Sequence, residues 1–287
     1  MSWLHLDVQS ASLSAALLAM LALGMRWVRR PWARFVTAAA GETALVCALF
    51  ALWQLANTAT HTAHAGGLAH GRAVWSLERT LHLPSETSFQ HLILGHPWLV
   101  RAANFYYASA HLTGMVVFLV WLWLRHRDRY ARWRNVVVAF TGIALLIEMI
   151  PVAPPRLIGH TGLVDTAVLY GQSVYNYFGS DFADQYAALP SIHVGWALLI
   201  GVAMWRCGGR LAGGVGVTHA VLTVLVVVLT ANHYWLDGVT AATVLAFALL
   251  IVAGAAQVMT ALRAQSATVA VPLEPALEPV QIQQGAL

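Results

Sequence analysis

The chain has 287 residues, of which 59% are hydrophobic and only 10% charged, with a mean hydropathy of +0.66. Soluble domains carry about 25% charged residues, so this composition excludes an ordinary soluble enzyme and points to an integral membrane protein. The net charge of +4 rests on sixteen basic residues, all arginine, and their placement in short turns between apolar runs excludes a nucleic-acid partner.

About 17–25 apolar residues are needed to cross a bilayer as a helix. Candidate spans run at about 11–27, 40–58, 104–124, 135–152, 192–206, 214–231 and 237–260. They predict an all-α fold, a polytopic bundle of about seven transmembrane helices. The first is read as a span and not as a signal peptide, because its positive residues follow the apolar run. Arg26, Arg29, Arg30 and Arg34 lie between the first two spans, and Arg125, Arg127, Arg129, Arg132 and Arg134 between the third and fourth. Arg206 and Arg210 separate the fifth and sixth, and Arg263 follows the seventh. All of these fall on one side, which the positive-inside rule makes cytoplasmic. The N-terminus is then outside and the C-terminus inside the cell membrane.

Two long outer segments remain. Residues 59–103 open with a His-rich loop over 59–71, then carry helical apolar spacing with Trp75 and Arg79, as expected of a helix lying in the interface. His61 and His64 have the spacing of metal ligands, but no Cys or nearby carboxylate completes a set, so no metal is expected. Residues 153–190 are rich in Pro, Gly, Tyr and Asp, and an irregular loop of that length is usually functional. Cys47 and Cys207 read as small packing residues. Gly195 and Gly201 in the short fifth span predict close helix packing. The sequence divides into a membrane-embedded catalytic domain, 1–263, and a Pro- and Gln-rich tail, 264–287, read as disordered and cytoplasmic.

The chemistry gathers at helix mouths. Pro190 biases what precedes it away from helix, and Ser191 is a good N-cap. His193 then falls in the first helical turn, where free N–H groups favour an anion. Downstream, His233 and Asp237 are i,i+4 neighbours if that segment is helical, so the carboxylate holds the ring. His193, His233 and Arg156 all reach the extracytoplasmic side in a topology set by other residues. Glu148 is an intramembrane acid read as support for Arg156 or a histidine, and Glu42 as an ordinary end-of-helix charge.

These residues carry a resemblance. The chain resembles the type-2 phosphatidic acid phosphatase superfamily over roughly residues 78–250, and within it the inositolphosphotransferase branch that includes inositol phosphorylceramide synthase. The likeness rests on Asn104-Phe105-Tyr106-Tyr107 with His111, Pro151-Val152-Ala153-Pro154-Pro155-Arg156, Tyr186 to His193, and Thr230 to Asp237. It implies metal-independent phosphoryl transfer without a cofactor, through a phosphohistidine. His233 is the nucleophile, Asp237 its orienting carboxylate, and His193 the general acid and base. Arg156 and Ser191 bind phosphate. Two cations of the superfamily pattern are missing: Met149 replaces a lysine, and Val226-Val227 replace a Ser-Arg pair. Arg101, Asn104, Tyr106, Tyr107 and His111 are candidates to line the pocket in their place.

The expected activity is transfer from a membrane lipid phosphate or phosphodiester to a polyol or lipid hydroxyl. Hydrolysis with water as acceptor stands beside it as a lipid phosphatase reading. A transporter with proton-handling histidines is a third, disfavoured because the ionisable residues gather at one face instead of stepping through the membrane.

Overall fold

In the computed structural model, residues 8–60, 66–173 and 185–269 are described; His61, His64 and the tail from 270 onward lie outside them. Ten α-helices form the described fold: α1 (Val8–Met25), α2 (Pro31–Thr60), α3 (Gly67–Thr80), α4 (Glu86–Leu94), α5 (Pro97–Arg125), α6 (Arg127–Glu148), α7 (Thr166–Leu169), α8 (Ile192–Cys207), α9 (Gly209–Leu229) and α10 (Trp235–Val269). No strand occurs among the described residues; Val152 and Ala187 form one isolated bridge. Among these helices, six are long and apolar enough to cross a membrane, and α8 is a shorter apolar helix of 16 residues.

Local chemistry sets the boundaries. Pro31 and Pro97 open α2 and α5 at the first helical position, where a missing N–H costs nothing. Pro151, Pro154 and Pro155 prevent α6 from continuing beyond Glu148. Between α8 and α9 the chain reverses on Gly208 and Gly209. A Cβ on Gly208 would strike Ala212 and Trp121, and Gly209 has φ +73. The helices outrun the spans read from hydropathy at several ends, because turns of Arg, Trp and Pro continue a helix without adding hydropathy. The last helix extends to Val269, past the boundary at 263.

The core joins α5, α6, α8, α9 and α10. Phe140 of α6 is fully buried, and its ring occupies the space a side chain at Gly195 would need. Gly201 faces the backbone of Gly216, so α8 and α9 approach closely over small residues. Tyr106 ties α5 to α9, its hydroxyl 2.7 Å from His219 Nδ1 and 3.2 Å from Thr223 Oγ1. The α1–α2 hairpin buries Ala11, Ala22, Ala33, Ala40 and Ala44, while Leu13, Leu17, Leu52 and Leu55 are exposed on its outside. Glu42, more than an end-of-helix charge, pairs with Arg134 and accepts from Tyr130 Oη of α6.

The arginine-rich turns converge at one end of the bundle. Arg129 donates to the Arg206 carbonyl at 2.8 Å, which brings the α5–α6 and α8–α9 turns together. At the opposite end, α3, α4 and the segment after α6 cover the mouths of α8 and α10. His70 Nδ1 meets Pro151 O at 2.8 Å, and Ala153 N donates to Gly67 O at 2.9 Å. Trp235 Nε1 donates to Pro84 O at 2.9 Å. A 16-residue helix rises about 24 Å, short of a hydrocarbon layer of about 30 Å, and α3, α4 and the segment after α6 lie over the Ser191 end of α8.

Candidate active site

Ser191 caps α8: its hydroxyl accepts from Val194 N at 3.2 Å, and its side chain is fully buried. Ser191 N in turn donates to the Asp237 carbonyl at 3.3 Å, which joins the start of α8 to the first turn of α10. His193 therefore faces the segment that carries His233, and the two rings lie 5.6 Å apart between centroids.

His233 precedes its helix instead of belonging to it. The last turn of α9 ends at Thr230, and Ala231 turns the chain with φ 53, a left-handed conformation costly for a residue with a Cβ. Asn232 and His233 then project before α10 begins at Trp235. The expected carboxylate contact is present in this non-helical form. His233 Nδ1 lies 3.1 Å from Asp237 Oδ2 and 2.9 Å from the Ala188 carbonyl. Asp237 Oδ2 also accepts from Tyr234 N at 2.9 Å. Two acceptors facing Nδ1 select the tautomer protonated there, leaving the Nε2 lone pair available. Burial pushes His233 down to about 4, with the Arg156 charge adding to the effect and the Ala188 bond opposing it.

The surroundings are aromatic on one side. Tyr107 stacks on His193 at 4.4 Å and 15°. His111 lies 4.1 Å from His193 and stacks on Trp196 at 4.5 Å. Tyr107 and His111, one turn apart on α5, both pack against His193.

The other side is polar. Arg156 N donates to Ala231 O at 3.0 Å, its Nη1 to Asn232 Oδ1 at 2.7 Å and its Nε to Asp165 Oδ2 at 3.1 Å. The Arg156 side chain is 4% exposed, and burial of that depth is tolerable because the charge is paired. A cleft beside it is lined by Asn104, Tyr107, Arg156, Asp165, Gln172 and Asn232. Asn104 holds the segment around α7 in place, through Thr166 O at 3.1 Å and Gln172 Oε1 at 3.3 Å.

Thus His193, His233, Asp237, Ser191, Arg156, Tyr107, His111 and Asn104 come together. Two residues expected near the pocket do not join them. Tyr106 turns to His219 on α9, and Arg101 stacks over Tyr170 at 5.0 Å. Tyr106 is about 100° around α5 from Tyr107, and Arg101, a turn before Asn104, reaches away to Tyr170. Glu148 is buried at the end of α6, and Arg156 has Asp165 as an ion-pair partner. Asp165 and Asn232 were not singled out from the sequence; Asn232 adjoins His233 and was readable in principle, but Asp165 sits in an irregular loop with no local signal. No group of three or more His, Cys, Asp or Glu side chains with metal-site geometry occurs among the described residues.

The model of the PAP2 superfamily matches residues 72–251, which runs from within α3 into the first half of α10 and takes in every residue of this cluster. No curated protein matches the chain significantly. No solved structure does so either. The match covers more than half of the sequence and agrees with the helical bundle, and on that basis the chain belongs to the PAP2 superfamily.

Proposed function

We propose that this protein is a membrane phosphotransferase that moves a phosphoryl-linked group from a lipid phosphodiester to a hydroxyl acceptor through a phosphohistidine, an activity of inositolphosphotransferase type. One observation carries the reading: His233 Nδ1 is held by Asp237 and Ala188, so Nε2 is the free nucleophilic nitrogen beside His193.

In the first step Nε2 of His233 attacks phosphorus and the bond to the leaving oxygen breaks, while His193 gives that oxygen a proton. Asp237 stabilises the charge that the ring of His233 acquires. In the second step the acceptor hydroxyl attacks phosphorus, the P–N bond breaks, and His193 takes the hydroxyl proton. Arg156 and the amides opening α8 stabilise the equatorial oxygens. Each step is completed by groups of this chain and draws on no metal or cofactor.

Charge supports a diester. A phosphate monoester brings nearly two negative charges into a recessed site, where unpaired charge is costly. The superfamily lysine is replaced by Met149, and the charge of Arg156 is already shared with Asp165. One negative charge is closer to what the remaining groups balance. The distribution of the arginines supports a site on the extracytoplasmic face, with the N-terminus outside and the C-terminus cytoplasmic.

The test is kcat/KM for a lipid monoester against a matched diester, with product analysis in the presence of a polyol. Preference for the diester and a phosphorylated polyol product are expected. Preference for the monoester with free phosphate as sole product contradicts transfer and leaves a lipid phosphatase.

A further inference from the structure

Behind the dyad, on the side away from the polar cleft, lie two carboxyl groups that the mechanism does not use. Glu78 of α3 and Glu86 of α4 have fully buried side chains. Glu78 Oε1 accepts from Leu236 N at 2.8 Å, an otherwise unbonded amide in the first turn of α10. Glu86 Oε2 accepts from Arg79 Nη2 at 2.8 Å. The other two oxygens, Glu78 Oε2 and Glu86 Oε1, are buried without a donor among the described residues.

Both carboxyls converge on one cation: Arg79 Nη2 lies 3.8 Å from Glu78 Oε2 and 2.8 Å from Glu86 Oε2, and it offsets one negative charge and not two. Asp237, on the neighbouring first turn of α10, adds to the negative field. Like charges packed this closely and away from water cannot all ionise.

We propose that Glu78 is held protonated beside the Glu86–Arg79 ion pair, and that this carboxyl is a positioning device which fixes the Leu236 turn and thereby the His233–Asp237 geometry. The proposal rests on the reading of His233 as nucleophile only for its kinetic consequence. Leu236 adjoins both Trp235, bound to Pro84 O at 2.9 Å, and Asp237, bound to His233 at 3.1 Å. One amide bond therefore connects α3 to the residue that orients the nucleophile. Burial and the Glu86 contact push Glu78 up to about 9, against the lowering effect of the Leu236 amide. A carboxyl raised in this way contributes stability that is present below its ordinary value of 4.5 and lost as pH rises through about 9. The charged and polar groups facing the pair are Arg79, Asp237 and the Tyr234 hydroxyl.

The experiment compares full-length wild type, Glu78→Gln, Glu78→Ala and His233→Gln in detergent micelles. It reads kcat against pH, melting temperature against pH, and the ¹⁵N spectrum of the His233 ring, which needs no turnover. Glutamine keeps an acceptor for Leu236 N and supplies a permanent donor to Glu86. Glu78→Gln is expected to retain most of the kcat at pH 7, and to lose both the fall in kcat near pH 9 and the decline in melting temperature between pH 4.5 and 9. Glu78→Ala is expected to lower kcat by about 10–100-fold, the usual scale for lost outer support of a reactive histidine, and to disturb the His233 ring signal. A wild-type alkaline fall unchanged in Glu78→Gln overturns the proposal. So does Glu78→Gln as inactive as Glu78→Ala while melting normally, or Glu78→Ala with an unaltered His233 spectrum. Should Glu78→Ala not fold, the alkaline behaviour of Glu78→Gln alone decides. Turnover in His233→Gln rejects the nucleophile and leaves the ring spectra to judge the positioning role, so the two failures are distinguishable.

Discussion

At the scale of the residue, His233 is a neutral base by virtue of where it is buried. Its proton affinity is lowered from 6.5 to about 4, with desolvation as the main cause. A histidine lowered on folding contributes stability that is present above 6.5 and lost as pH falls through about 4, because the unfolded chain takes up the proton first. The melting temperature of wild type should therefore fall between pH 6.5 and 4 more than that of His233→Gln, by the equivalent of at most about 3 kcal/mol. Equal acid sensitivity in the two proteins contradicts this. His193, His233, Asp237 and Arg156 were legible because titratable residues are scarce in so apolar a chain, and these gather at helix mouths. The Glu78–Leu236 contact was not legible: its partners are 158 positions apart, and Glu78 reads locally as one polar residue of an interfacial helix.

At the scale of the element, hydropathy located all seven apolar helices and the interfacial α3, since both periodicity and length mark them. It did not show that His233 stands before α10, because the left-handed turn at Ala231 has no glycine to announce it. Nor did it separate Tyr107, which faces the histidines, from Tyr106, which faces α9; neighbouring residues on a helix diverge by about 100°. The small residues of α8 were legible, and their partners explain them. Gly195→Ala should drive a methyl into the Phe140 ring and destabilise the bundle by about 1–3 kcal/mol, the range for overpacking a tight core. Gly254→Ala, with nothing within 4 Å of the added carbon, is the control. Equal melting temperatures for both variants contradict the α6–α8 packing described here.

At the scale of the whole molecule, the bundle separates an arginine-rich end from a histidine-bearing end. Arg129, Arg134 and Arg206 mark the first, and His193 with His233 the second. The orientation proposed from the positive-inside rule turns the site outward. Cysteine placed at Leu169, which is 61% exposed near the site, should label with an impermeant thiol reagent in intact cells. Cysteine at Asp128, 76% exposed at the other end, should label only after permeabilisation. The reverse pattern inverts the topology. The central claim, a covalent intermediate on His233, is tested most directly by trapping phosphoenzyme from a ³²P-labelled lipid donor and mapping the labelled histidine. The account predicts acid-labile, alkali-stable label on His233, absent in His233→Gln, and still formed in His193→Gln with a donor whose leaving group needs no proton. Equal label in wild type and His233→Gln would contradict it.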